Sequence, residues 1–523
     1  MSDYDAIVIG GGHNGMAAAA ILQRGGAKTL LLEKNHYTGG MASTVELFDG
    51  FRFEIAGSVL FPISPVVIDD LGLEECPMMD TEIMSVNIGN PDDEPMIFYS
   101  DPVQMLEHMS EKHGAEAMAG MGELMMWADA PSRALGRFEV RTPPRSLDEM
   151  FAEAHDERQR QAVQDMLFGS AMDVIDRFFP DPDKHKMVRA MMAFLAINST
   201  YKGPWTPGSA ACLAFALAST PDTRLLKKLD GGIGALGRHV QGIFESHGGE
   251  VRTKAKVEKI LTEGDRVTGV ELKGGEVITA PRVLSNVDPG VTLLQLLDGD
   301  HVPEAMRERL DNVDHRAAYV QMHFALDGLP EYAAPYEFLN RPEMQASLSY
   351  FASAEDMQKQ YEDCCRGIIP EDPSFGAQIP SIYDKSLAPE GKHAMSAFAM
   401  YFPVEADPSL HGKLKDEMAQ KVISKLTKLA PNFPDILIRH TTFASFHYDT
   451  MFSAPHGDFC HGLIHPELMG QFRPMPRGWV DMELPVEGLY LSGAGCHGGP
   501  GVTFTPGYNA GYAALEDHLA SSA

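Results

Sequence analysis

The chain is poor in cysteine, poor in basic residues and without a long apolar run, and each shortage removes a class of protein. Six cysteines in 523 residues, none in C-x-x-C or C-x-x-x-x-C spacing, exclude a disulfide framework and a dithiol redox centre and point to a reducing, cytoplasmic setting. Lys and Arg total 43 against 73 Asp and Glu, a net charge of -30 that repels a phosphate backbone and excludes nucleic acid as a partner. No apolar stretch reaches the roughly 18 to 20 residues that cross a membrane. The N-terminus enters a strand-like run directly, so no leader peptide is expected. The expectation is a soluble protein, or one touching a membrane at its periphery. Neither a G-x-S-x-G elbow nor a G-x-x-x-x-G-K-[ST] loop occurs, which removes the serine hydrolases of that type and the P-loop proteins.

What is present begins at once. "YDAIVIGGGHNGMAAAAILQRGGAKTLLLEK" reads as a buried strand, a tight turn, an alanine-rich helix and a second strand, Thr29 to Leu32. Gly10, Gly12 and Gly15 stand in G-x-G-x-x-G spacing, where the first permits the turn, the second admits a pyrophosphate and the third lets helix and strand pack closely. Glu33, at the end of the second strand, is placed to accept hydrogen bonds from a ribose. Two further matches lack that context. Gly232, Gly234 and Gly237 follow the charged "RLLKKLD" and read as a turn entering a helix. Gly493, Gly495 and Gly498 lie between a strand and a helix too near the C-terminus to begin a second nucleotide unit.

The fingerprint alone does not separate NAD from FAD. "LEKNHYTGGMAST" places Gly39 and Gly40 soon after Glu33 and Lys34, and this arrangement resembles the flavin-dependent amine oxidase and phytoene desaturase superfamily. "GGIGALGRHV" (231–240), "APRVLSNVDP" (280–289), "DKSLAPEGKHAMSAF" (384–398) and "FCHG" (459–462) resemble desaturase segments, so the likeness spans nearly the whole chain. It is similar to the phytoene desaturase-related branch whose members carry the label pyridine nucleotide-disulfide oxidoreductase domain-containing, although this chain lacks a redox cysteine pair.

The resemblance implies an α/β fold: a three-layer Rossmann-type FAD-binding domain with a parallel sheet, interleaved with an α+β substrate domain. The FAD domain would comprise residues 1–75, 230–300 and 485–523, and the substrate domain 76–229 and 301–484. FAD would be held non-covalently by Gly10, Gly12, Gly15, Glu33, Lys34, Gly40, Met41, Val257, Asn286, Gly493, Gly495, Gly501 and Val502. Val257 would meet the adenine, Gly493 and Gly495 would let the backbone pass the ribityl chain, and the last helix would aim its N-terminus at the flavin pyrimidine. Cys496 raises the alternative of a covalent flavin, but the desaturase pattern commonly has Thr there.

His461 of "FCHG" and His497 of "CHGGPG" are the candidate acid or base groups, since both would approach the flavin and imidazole titrates near neutral pH. The alternative for each is a histidine that only orients the cofactor. His461 and His465 could also hold a metal with Asp458 or Cys460, but Gly462 and Pro466 suit a loop, so no metal is expected. "CHGGPG" stands where the family has "THPGGG", which leaves the aim of His497 open. The methionines of "AMAGMGELMMWADAP" and "HKMVRAMMAFLAINSTY" read as helix packing or as a deformable pocket for a greasy substrate. The activity implied is dehydrogenation of a hydrophobic isoprenoid or terpenoid, with electrons passed to oxygen, a quinone or another carrier. The rivals are an amine oxidase and a flavin-binding interaction protein. Oligomerisation is compatible with all of these.

Overall fold

The computed structural model describes residues 2–58, 60–198, 200–219, 228–297, 299–316 and 319–522. Its first layer is set by a parallel sheet of five short strands in the spatial order Leu489–Leu491, Val283–Ser285, Ala6–Ile9, Thr29–Leu32 and Glu250–Arg252. Both faces of the sheet are covered at its inner strands Ala6–Ile9 and Thr29–Leu32, which is why these are continuously buried rather than alternating, whereas the edge strand Glu250–Arg252 is charged and partly exposed. Ala6, Val8, Leu31 and Leu284 face the helices His13–Arg24, Gly234–Ser246 and Thr505–Ser522. Ile7, Ile9, Leu30 and Leu32 face an antiparallel meander, Val257–Glu263, Arg266–Leu272 and Val277–Thr279, through Val257, Ile260 and Val270. The helix Glu304–Asp311, through Met306 and Leu310, and Trp479 pack in that same cluster.

The alanine run of the first helix exists because helices cross it closely. A β-carbon on Gly507 of the last helix would lie 1.9 Å from the Asn14 carbonyl, and one on Gly511 3.0 Å from the Ala18 α-carbon. On its other flank, Gly237 of the second helix stands opposite the Met16 sulfur. That second helix, Gly234–Ser246, begins at the second glycine match, Gly232, Gly234 and Gly237. The Gly231, Ile233 and Gly234 N–H groups donate to Asp384, Glu54 and Thr44 side chains at 2.6, 2.7 and 3.0 Å. Its N-terminus is thus capped by protein, as a turn entering a helix requires. Of the charged run before it, Arg224–Lys227 lie outside the described residues, and Lys228–Leu229 form a short strand paired with Met78–Met79.

The second unit is a seven-stranded mixed sheet in the order 437–443, 319–326, 393–400, 375–378, 347–350, 83–88 and 96–99. Strand alternation divides its faces. Val320, Met322 and Phe324 pack with Leu414, Met418, Val422 and Leu426 of the helix His411–Leu429. Tyr319 and Gln321 point the other way, towards the unit of the parallel sheet and a cap of helices between 114 and 217. Buried Met166, Met172, Met191 and Met192 form the interior of that cap, the helix-packing reading of the methionine-rich segments, whereas Met125 and Met126 are exposed. Among the described residues no helix is long and apolar enough to cross a membrane.

Candidate functional site

The site begins where the first strand ends. Gly10 adopts φ +93°, and a β-carbon on Gly15 would lie 2.1 Å from the Gly10 carbonyl oxygen, so the first turn of the helix rests directly on the loop. Asn286, just beyond the neighbouring strand, donates from Nδ2 to that carbonyl at 3.1 Å. The same amide would meet a β-carbon on Gly12 at 2.8 Å, which keeps the loop bare. The second glycine pair packs on the first: Gly39 N–H donates to the Gly11 carbonyl at 2.7 Å, and Gly40 at φ +59° touches Gly12.

Glu33 is buried and clamped, accepting from Gly11 N–H at 2.8 Å and Asn35 N–H at 2.7 Å. Each carboxylate oxygen retains a lone pair for a ribose hydroxyl. Lys34 reaches away to Thr450 and Ser453, tying this edge to the helix Ser445–Phe452 of the second unit. Replacing Glu33 by Gln sets an NH2 against one of the two backbone N–H groups whichever way the amide turns. Glu33→Gln is therefore expected to lose about tenfold in flavin affinity, worth about 1–2 kcal/mol, read as the flavin-to-protein absorbance ratio after gel filtration.

These residues line a groove of about 420 Å³. Gly10, Gly12, Glu33, Lys34, Gly40, Met41, Val257, Asn286 and His461 all lie along it. At the Met41 end it adjoins an apolar chamber of about 120 Å³ and shares His13, Met41, Phe459 and Ala494 with it. Phe61, Phe215, Tyr319, Phe398 and Met400 form the chamber walls, and Gly501 and Val502 line it beside the start of the last helix at Thr505. Met41 and Met400 are the chamber's methionines; those of the helical cap do not reach it. Gln321 also lines the chamber, buried, with neither amide atom hydrogen-bonded.

His13 is a groove residue that the sequence pattern conceals, because it fills an unspecified position of the glycine fingerprint. Its Nε2 lies 3.1 Å from the Gly501 carbonyl, which can only accept, so Nε2 carries the proton and Nδ1 is free. Burial holds its pKa down to about 4, so the ring is neutral. It therefore joins the first loop to the last.

His461 lines both the groove and a second cavity of about 430 Å³, whose lining includes Asp288, His315 and Arg473. It has φ +49°, its Nδ1 has no hydrogen-bond partner, and burial lowers its pKa. The turn that carries it is fixed by Asp458, fully buried, which accepts from Cys460 N–H at 2.8 Å, Gly462 N–H at 2.6 Å and His315 Nδ1 at 3.1 Å. Buried Arg473 then ties this turn to the last loop, donating to the Gly462 carbonyl at 2.6 Å and the Ala494 carbonyl at 2.8 Å. His465 does not join His461. It contacts the Pro207 carbonyl at 3.3 Å and Glu467 at 3.2 Å.

Among the expectations for the last loop, those for His497, Gly493 and Gly495 need correction. His497 lines neither groove nor chamber. Its N–H is held on the Pro474 carbonyl at 2.9 Å, and the residue lines a separate small cavity with Arg137 and Arg473. Burial, then the Arg473 charge, holds its pKa down to about 4, so it is a neutral ring behind the loop. Gly493 and Gly495 likewise do not line the groove. Their β-carbons would strike the Asn286 carbonyl at 2.9 Å and Pro289 at 2.7 Å, so they are glycines for packing against the turn after Val283–Ser285, and Ala494 between them is the residue presented to the cofactor side. Cys496 is buried, its thiol pushed up to about 12, and it lies outside groove and chamber, which fits a non-covalent cofactor.

A bare glycine cradle, a clamped ribose-side carboxylate and a groove that ends in an apolar chamber define a flavin-dependent oxidoreductase, and the long groove suits an extended dinucleotide, FAD. The family described as flavin containing amine oxidoreductase matches residues 15–514, and the chain belongs to it. The chain is similar to pyridine nucleotide-disulfide oxidoreductase domain-containing protein 2 of Rattus norvegicus, 28% identical over 98% of this chain and 94% of that one. It is also similar to the zeta-carotene-forming phytoene desaturase of Myxococcus xanthus, 25% identical over 95% and 90%. An oxidoreductase from Methanosarcina mazei, 16% identical over 98% and 99% of the two chains, shares the fold with a TM-score of 0.59.

Proposed function

We propose that the protein dehydrogenates a hydrophobic isoprenoid or terpenoid. The observation that carries this reading is the chamber adjoining the cofactor groove: its walls are mostly aromatic and aliphatic, its polar lining residues Ser58, Asn198 and Gln321 are uncharged, and no carboxylate lines it among the described residues, so it suits a hydrocarbon chain better than an ammonium ion. The Myxococcus xanthus relative is by name a desaturase of phytoene, which adds support from sequence.

Bound FAD would accept a hydride from a substrate C–H bond. The chain's own residues would do the rest. Gly10, Gly12 and Gly40 give the backbone its close approach, Glu33 holds the ribose end, and the last helix presents its positive N-terminus beyond Val502. Phe61, Phe215, Tyr319 and Phe398 exclude water and hold the substrate chain. His461, with its unpartnered Nδ1 and a second cavity that it shares with His315 and Asp288, would take the proton released as the double bond forms and pass it towards those residues. The electrons then leave to oxygen, a quinone or another carrier.

The test is anaerobic bleaching of the flavin absorbance by a panel of acyclic and cyclic terpenoids against a panel of primary amines. Bleaching by terpenoids is expected. Bleaching by amines alone, with peroxide released on admitting air, would overturn the reading in favour of an amine oxidase.

A further inference from the structure

Arg137 follows the helix Gly114–Leu135 and is buried, 5% exposed, without a carboxylate. One terminal nitrogen donates to the Phe215 carbonyl, and Nε and the other terminal nitrogen have no hydrogen-bond partner. Its guanidinium carbon lies 3.8 Å from the Phe215 ring centroid and 5.4 Å from that of Phe61. Stacking on aromatic faces orients a guanidinium but does not supply a counter-charge. A buried cation with two idle donors is costly, and proteins normally match such a group with an anion.

The donors have a place to put one. Arg137 lines a cavity of about 30 Å³ together with Arg473, His497 and the Gly498–Pro500 segment, and no acidic residue lines it among those described. A water needs about 10–15 Å³ by that measure, so there is room for about two water-sized atoms, as many as the oxygens of a carboxylate. Arg473 is already spent on backbone carbonyls, so Arg137 holds the cavity's unused donors. Phe215, Ile464 and Pro500 line this cavity and the apolar chamber alike.

We propose that Arg137 forms an anion subsite sized for a carboxylate, set against the wall of the apolar chamber. The carboxylate has two sources: the acid end of an amphipathic ligand whose apolar body occupies the chamber, or a small free anion. The first rests on the reading of the chamber as the substrate site. The second is independent of it.

The test uses the flavin-loaded protein, Arg137→Met and, as a second uncharged variant that keeps a donor, Arg137→Gln. In one arm, sodium formate is titrated at constant ionic strength and the thermal midpoint is followed. This arm needs no turnover, so its outcome is separate from whether a terpenoid is oxidised. In the other, dissociation constants for geranic acid and geraniol, one skeleton with and without the carboxylate, are read from the flavin difference spectrum. A substrate carboxylate predicts that the acid binds wild type about tenfold tighter than the alcohol and that both variants erase the difference. A free anion predicts that acid and alcohol bind alike while formate raises the midpoint of wild type and of neither variant. Identical responses of wild type and variants to formate and to the acid overturn the proposal.

Discussion

Purified Gly15→Ala protein is expected to be colourless and to melt well below wild type. The added methyl would stand 2.1 Å from the Gly10 carbonyl oxygen, 3.1 Å from Asn286 Nδ2 and 3.3 Å from Asn286 Cβ, where nonbonded heavy atoms rest at roughly 3.5 Å. Nothing near it is a flexible side-chain end. The carbonyl belongs to the loop that receives the cofactor, and Asn286 is held to that loop by its own hydrogen bond. Relief requires the first helix to lift from the sheet, which also breaks its close crossing with the last helix at Gly507. The control is the same chemical change at Gly122, an exposed position of the helix Gly114–Leu135 with open space where the methyl would go. Gly122→Ala is expected to gain about 0.5–1 kcal/mol by restricting the unfolded chain. Flavin-to-protein absorbance ratio and thermal midpoint check both. Full flavin retention in Gly15→Ala would refute the steric account.

The same contrast explains what could be read from the residues in order and what could not. Gly10, Gly12, Glu33 and the glycine pair at 39 and 40 answer to constraints set within a single strand, turn and helix, so their spacing carries their geometry. Val257 and Asn286 come from distant segments, and their positions follow from desaturase-like patches rather than from spacing. The last loop is different. The direction in which His497 leaves a glycine-rich turn depends on Pro474, Arg473 and Arg137, and nothing local announces them. Gly493 and Gly495 look like cofactor glycines because close approach to a neighbouring strand's backbone and close approach to a phosphate select the same residue. His13 is hidden for the opposite reason, since an imidazole at an unspecified fingerprint position carries no pattern, although its place in the first turn of the nucleotide helix is a signal. Arg137, in "SRALGRFEV", reads as ordinary surface charge until burial and the missing partner are known.

Buried neutral histidines make acid the protein's weak side. Burial depresses the pKa of His13 and His497 to about 4 and that of His323, beneath the Ser396 hydroxyl in the large sheet, to about 3. Above pH 6.5, the ordinary histidine value, these rings are neutral folded or unfolded and contribute nothing to pH dependence. As pH falls from 6.5 towards 4 the unfolded chain binds protons that the folded chain refuses, so stability is lost, by about 1.4 kcal/mol per pH unit for each fully shifted group. Three such groups together approach about 4 kcal/mol per unit near pH 5. His315 works in the opposite sense. Although burial opposes its charge, Asp458 and Asp288 raise its pKa, so its contribution is whole below pH 6.5 and is lost as pH rises through the folded value. Glu54, its pKa pushed up by burial to about 7, also opposes these rings between pH 7 and 4.5. Stability should therefore still fall on the acid side, but by less than the three rings alone would give. Urea midpoints at pH 7, 6 and 5 measure the slope. His323→Gln keeps a hydrogen-bonding side chain for Ser396 without a group that titrates in this window, and it is expected to reduce the acid-side slope by about 1.4 kcal/mol per pH unit. An unchanged slope in that variant would show that the acid loss arises elsewhere, in carboxylates that must be protonated, rather than in these rings.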